Sequence, residues 1–280
     1  MNKAHAFFEL MRLDKPIGIY LLLWPALLAL IISTGGNFIY SDFLIVVIGS
    51  ILVRSAGCVI NDIWDKDLDG GVERTKLRPI PSKRVSIYES WALFLILGFL
   101  SLILLSLTNA NTIFISFCFS LLIILYPLTK RFLMGPQIFL GLTFNPTIIV
   151  YAMTDELNNS TMIFLYFALA AMTIAFDTLY GLCDIDDDKK LGINSTPIWW
   201  GSNTLKIVAC FQSMAIFLLL IVGWQAALKF VWYLGVIFLI GFYLHQHHLA
   251  NQKKYFLAFK NNHWASFYLL MLSVLCFLII

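Results

Sequence analysis

At 280 residues, 60% of them hydrophobic and only 12% charged, with a mean hydropathy of +0.84, the chain is too apolar for an ordinary soluble domain. A net charge of +3 leaves too little basic surface to imply a nucleic-acid partner. Five scattered cysteines without C-x-x-C spacing exclude a disulfide framework or zinc centre and read as free thiols in apolar surroundings.

Apolar runs near the ~20 residues that a helical membrane span needs recur along the whole chain. In the absence of water such a backbone satisfies its own hydrogen bonds as helix. Nine spans are expected, over 16–33, 43–60, 91–107, 111–127, 136–153, 161–180, 205–222, 229–246 and 264–280. The first follows a basic start, as in a signal peptide. Its apolar stretch is long, however, Trp24–Pro25 interrupts it and no A-x-A site follows, so it reads as a retained span. The expectation is an all-α, polytopic integral membrane protein, a single domain over 1–280 embedded in the lipid bilayer.

The connections alternate in charge. Of 19 basic residues, all but Arg54 and Lys229 fall at the N-terminus or in the even-numbered connections, which hold Arg74, Arg78, Lys130 and Arg131 among others. By the positive-inside rule the N-terminus and these longer loops are cytoplasmic, and the C-terminus lies on the periplasmic side of a bacterial inner membrane.

The acidic residues are still more concentrated. Nine of 16 lie in two stretches, N-D-I-W-D-K-D-L-D (61–69) and D-T-L-Y-G-L-C-D-I-D-D-D (177–188), at the cytoplasmic ends of the second and sixth spans. If the second span continues as helix, Asn61, Asp65 and Asp69 are spaced i, i+4, i+8 and share a face; Asp177, Asp184 and Asp188 share another. Asp67, Asp186 and Asp187 point away, to water. Carboxylates stacked on one face repel unless a cation neutralises them, and oxygen ligands without histidine or cysteine favour Mg²⁺ or Mn²⁺. R-T-K-L-R-P (74–79), Lys130, Arg131 and Arg54 supply charge for a diphosphate beside that metal. Tyr126 and Tyr180 lie near the acids. Together these describe a lipid-diphosphate site, with an apolar tail among the helices and a head at the rim. A solute transporter fits less well, because its ionisable residues belong near the midplane. A CDP-alcohol phosphotransferase would need a D-G-x-x-A-R signature, and D-G-G-V-E-R (69–74) is not one.

N-D-x-x-D-x-x-x-D (61–69), the following R-T-K-x-R-P, and D-x-x-x-D (184–188) downstream of D-T-x-Y resemble the UbiA family of membrane prenyltransferases. The resemblance continues through R-L-D-K-P-I-G-I-Y-L-L-L-W-P (12–25), R-S-A-G-C-V-I-N-D (54–62), Y-P-L-T-K-R (126–131), P-Q-I-F-L-G (136–141), G-I-N-S-T (192–196) and F-K-N-N (259–262). It implies two Mg²⁺ ions held by Asn61, Asp65, Asp69, Asp184 and Asp188, with Asp62 and Asp177 supporting them. Arg131, Lys130 and Arg54 would face the diphosphate or an aromatic acid's carboxylate. The branch it is most similar to implies polyprenyl diphosphate and 4-hydroxybenzoate as substrates, in ubiquinone synthesis; haem, homogentisate and dihydroxynaphthoate are the alternative acceptors. Nothing points to a protein partner. Three positions depart from the family pattern: Lys83 stands where glycine is usual, Asn145–Pro146 replaces a Gly/Trp-bearing stretch, and Asn194 replaces a lysine.

Overall fold

The computed structural model describes residues 3–71 and 74–278, and among them every regular element is helical. A short amphipathic α1 (Lys3–Leu10) leads into α2 (Ile17–Ser33), α3 (Tyr40–Trp64), a one-turn α4 (Lys66–Asp69), α5 (Ile87–Leu105) and α6 (Ala110–Thr129). Two short helices follow, α7 (Pro136–Thr143) and α8 (Thr147–Met153), then α9 (Thr161–Gly181), α10 (Ile185–Leu191) and α11 (Thr196–Trp200). The chain closes with α12 (Thr204–Gln225), α13 (Phe230–Asn251) and α14 (Tyr255–Leu278).

Among the described residues six helical stretches are long and apolar enough to cross a bilayer: α3, α5, α6, α9, α13 and the continuous run Thr196–Gln225. The other three of the nine expected spans, over 16–33, 136–153 and 264–280, fall outside that set. With 17 residues, α2 reaches only about 26 Å at 1.5 Å per residue. The expected span over 136–153 is two helices, because Pro146 has no N–H to give and Asn145 supplies the missing bonds. Its Oδ1 accepts from the Thr147 backbone N–H (3.2 Å) and hydroxyl (2.7 Å), while its Nδ2 donates to the Tyr166 carbonyl (2.7 Å). The last helix begins at Tyr255 rather than at 264, and Lys260, Asn261, Asn262 and His263 dilute its apolar character.

Apolar side chains gain nothing by leaving lipid, so helices within a membrane are held by close packing and internal hydrogen bonds. The principal core joins α2, α9, α12, α13 and α14 around Leu28, Leu165, Leu219, Trp232, Leu239 and Leu269. Small residues permit the approach: a Cβ on Gly141 would stand 2.8 Å from the Ala170 carbonyl oxygen on α9. Buried polar groups pair across helices, Trp232 Nε1 with the Leu219 carbonyl (2.9 Å) and the Tyr151 and Thr161 hydroxyls with each other (2.7 Å). Gln246 and His247, within the H-Q-H-H segment (245–248) of α13, are absorbed in the same way. Gln246 donates to Asn261, and Gln212 binds both Gln246 and His247. Of the free cysteines, Cys58 and Cys276 are buried as expected, whereas Cys118 and Cys210 are exposed.

On the other side of the molecule α5 and α6 bury few residues. Together with α2, α3 and the α7–α8 break they line an apolar cavity of about 870 Å³. It runs from Ile60, Ile124 and Phe144 at one end to Thr108, Ala110 and Met153 at the other.

Candidate active site

Both acidic stretches straddle the end of a long helix. The end of α3 is Trp64, and Asp65 occupies the turn before α4 with φ −92° and ψ 3°. Similarly, α9 ends at Gly181, and Asp184 occupies the residue before α10 with φ −114° and ψ 9°. Neither acidic face is therefore one uninterrupted helix, which modifies the expected i, i+4, i+8 ladder. The backbone N–H of Asp69 still bonds the Asp65 carbonyl (2.8 Å), so one turn continues across the kink. Asp67 and Asp186 are exposed, and Asp187 pairs with Lys190, as expected of acids outside the site.

Four of the inward acids, Asp62, Asp65, Asp69 and Asp184, are each tied to a base from another segment. Lys130, at the end of α6, donates to Asp65 Oδ2. Arg78 Nη1 bridges Asp69 (2.7 Å) and Asp62 (3.1 Å). Asp62, fully buried, also receives a two-pronged contact from Arg12 Nη2 (2.8 Å to each oxygen). Arg74 holds Asp184 with Nε (2.9 Å) and Nη2, donates to the Tyr180 hydroxyl, and lies 4.8 Å from the centre of the Tyr180 ring. That last pair joins the two halves of the site, because Arg74 follows the first acidic stretch and Asp184 belongs to the second. A backbone bond from Asn194 to the Lys130 carbonyl (3.0 Å) ties the loop after α10 to the same rim.

Burial pushes the Asp65 carboxyl up and Lys130 pulls it back; burial likewise raises Asp69 against the pull of Arg78. The Asp188 carboxyl is pushed up to about 6 by burial and by the charge of Asp184, against Lys130 and Arg74. Burial opposes the charge of Arg74, but its contact with Asp184 more than offsets this and the guanidinium is held firmly protonated. Lys130 thus acts on acids of both stretches, Asp65 and Asp188. Among the described residues no three acids, histidines or cysteines stand grouped as a metal cage. The donor set nonetheless suits a hard cation. Asp65 Oδ1 is buried without a hydrogen-bond partner, and an ionised oxygen so placed is costly until a cation or donor meets it.

Deeper, Arg54 on α3 faces the Phe144 ring at 5.1 Å, and its charge acts on Asp177 of α9 and Tyr126 of α6. Its Nε is buried without a partner. Phe144, which Arg54 faces, and Ile60, the neighbour of Asn61, both line the apolar cavity, so the charged rim lies next to it. Arg131 is not drawn to the acids. It is exposed, and its Nη2 donates to the Trp64 carbonyl (2.9 Å), closing the C-terminal end of α3. Arg12 was missed as a site residue because its charge was already accounted for by topology. Its spacing from the first span carries no signal, since only the turn after α1 brings it to Asp62.

A model of the UbiA prenyltransferase family matches residues 22–270. The chain is 38% identical to 4-hydroxybenzoate octaprenyltransferase of Shewanella woodyi, covering 94% of each protein. It is 40% identical to the enzyme of the same name from Psychromonas ingrahamii, over 95% of this chain and 94% of that one. In fold it is similar to a UbiA homologue from Aeropyrum pernix, with a TM-score of 0.82 and 20% identity over 92% of this chain and 96% of the other. A UbiA homologue from Archaeoglobus fulgidus bound to GPP and Mg²⁺ gives a TM-score of 0.71 at 16% identity, over 94% and 99%.

Proposed function

The chain belongs to the UbiA prenyltransferase family, and from that membership we propose the reaction: transfer of a polyprenyl group from polyprenyl diphosphate to C3 of 4-hydroxybenzoate, with release of diphosphate, in ubiquinone synthesis. The observation that carries it is the meeting of both acidic stretches with Arg74, Arg78 and Lys130 at one rim, next to an apolar cavity that Ile60 and Phe144 line. The prenyl tail lies in that cavity, and its diphosphate lies at the rim.

Asn61, Asp65, Asp69, Asp184 and Asp188 are the residues that would hold Mg²⁺. When bound, that ion offsets charge on the departing diphosphate. Arg74, Arg78 and Lys130 stand beside the same acids and supply donors to phosphate oxygens, stabilising the charge that develops as the allylic C–O bond breaks. Asp62 sets Arg78 in place through their direct contact, with Arg12 on its other side. The electron-rich ring carbon ortho to the acceptor's hydroxyl then attacks C1 of the prenyl chain, and a base at the rim takes the ring proton. Arg54 lacks an ion-pair partner among the described residues and is the cation left for the acceptor's carboxylate, with Asp177 and Tyr126 beside it. The apolar walls keep out water, which would otherwise capture the allylic cation as an alcohol.

We further infer that α7 and α8 together make one crossing. With α2 and α14, the single domain then crosses the bacterial inner membrane nine times, its charged rim at the cytoplasm and its C-terminus in the periplasm. The test of the reaction supplies membranes containing the protein with labelled polyprenyl diphosphate, Mg²⁺ and one acceptor at a time. Prenylated product is expected with 4-hydroxybenzoate and not with homogentisate or dihydroxynaphthoate. Product with another acceptor alone overturns the assignment.

A further inference from the structure

Arg54 lies where α2, α3, α9 and the α7–α8 break meet, and two neighbours fix its guanidinium. One is the Phe144 ring, 5.1 Å from Cζ to the ring centre. The other is Gly18, in the first turn of α2. A Cβ built on Gly18 would stand 2.5 Å from Nε and 2.7 Å from Nη2 of Arg54, well inside contact distance. Glycine costs a helix about 1 kcal/mol relative to alanine, so the needs of α2 alone do not call for it. The space it leaves is occupied by the guanidinium.

What that guanidinium lacks is equally specific. At the rim Arg12, Arg74, Arg78 and Lys130 each hold a carboxylate. Among the described residues Arg54 has no ion-pair partner, and its Nε is buried and unbonded. A guanidinium can be turned easily, having a long flexible stem. An arginine meant to meet a ligand in one orientation therefore needs walls, and Phe144 and Gly18 are those walls.

We propose that Gly18 is a specificity-determining positioning residue. By leaving room for the guanidinium against Phe144, it aims Arg54 at the carboxylate of the aromatic acceptor. The inference rests on the proposed transfer to 4-hydroxybenzoate and adds to it a residue on α2 that touches neither substrate. Adding one methyl at Gly18 displaces the cation while leaving the rim intact, so its effect is confined to acceptors that carry the negative charge.

The experiment compares 4-hydroxybenzoate with its methyl ester, which keeps the phenol and loses the charge. In the Gly18→Ala enzyme the KM for the acid rises about tenfold, the loss expected when one charge-assisted hydrogen bond is weakened. The KM for polyprenyl diphosphate and the kinetics with the ester stay as in the unaltered enzyme. Gly18→Ser, which crowds the same space and leaves Phe144 in place, gives the same acid-selective loss and serves if Gly18→Ala does not fold. In an Arg54→Lys background Gly18→Ala adds less than about twofold, because the interaction it disturbs is already gone. Equal losses on acid and ester overturn the proposal, as does an unchanged KM for the acid in both variants. An unaltered enzyme that does not prefer the acid to the ester removes the acceptor reading itself; a preference that survives both substitutions removes only the role of Gly18.

Discussion

Asp62 shows how the site is assembled at the level of single residues. It is fully buried, it contacts Arg12 and Arg78, and through Arg78 it is linked to Asp69. A buried carboxylate deprived of a partner is strongly destabilising, by roughly 3–5 kcal/mol where no other base remains. Because Arg78 stays in place, Arg12→Ala is expected to cost about 2 kcal/mol, measured as a lower unfolding temperature in detergent. Arg12→Lys should recover less than half of that, since an ammonium cannot reproduce the contact to both oxygens; full recovery by lysine would contradict the account. The acids of this network were legible in the sequence, because carboxylates one helical turn apart in an apolar chain need a common cation. Their partners were less so. Lys130 and Arg131 are adjacent, and only the helix phase at the end of α6 decides that Lys130 turns to Asp65 while Arg131 turns to the Trp64 carbonyl. Arg54 was legible for a different reason: it is a lone cation inside an apolar run.

At the level of elements, the loop between α4 and α5 carries both Arg74 and Arg78 and must hold a fixed shape. Its end is closed by backbone bonds from Arg84 and Val85 to the Pro79 carbonyl (2.9 and 3.1 Å) and by the contact of Arg84 with Glu9 of α1. Lys83 within it has φ +58°, a left-handed conformation that costs a residue with a side chain roughly 1–2 kcal/mol. This is the position where the sequence departs from the glycine usual in the family, and the backbone there still has the conformation glycine favours. Lys83→Gly is therefore expected to raise stability by about 1 kcal/mol with turnover unchanged, read from thermal unfolding and initial rates; a destabilised variant would contradict it. Helix existence was well forecast by hydropathy, and the failures have local causes. The α7–α8 break is set by Asn145–Pro146, whose three side-chain bonds are invisible to an average over 18 residues. The acidic ladders bend at Asp65 and Asp184, because the helices that carry them end one to three residues earlier.

For the whole molecule, the charged rim, the apolar cavity and the densely packed half are one arrangement. The packed helices α2, α9, α12, α13 and α14 include the one that leads into the second acidic stretch, while lightly packed α5 and α6 leave room for a long apolar chain beside the first. The charge asymmetry of the loops predicts that an alkaline phosphatase fused after the last residue is active in the periplasm. The same reporter fused in the loop after α6 should be inactive, and the reverse pattern would invert the orientation. The central claim is that the two acidic stretches act as a single site. It is tested most directly by turnover of polyprenyl diphosphate and 4-hydroxybenzoate in Mg²⁺-containing membranes bearing Asp65→Ala, Asp184→Ala or both, at matched levels of inserted protein. Partners outside a metal's own ligand set already cost 10–100-fold, so each single substitution should lose at least about a hundredfold, with the double variant no slower than either. Either single variant retaining near-normal turnover, or independent losses that multiply in the double variant, would contradict it.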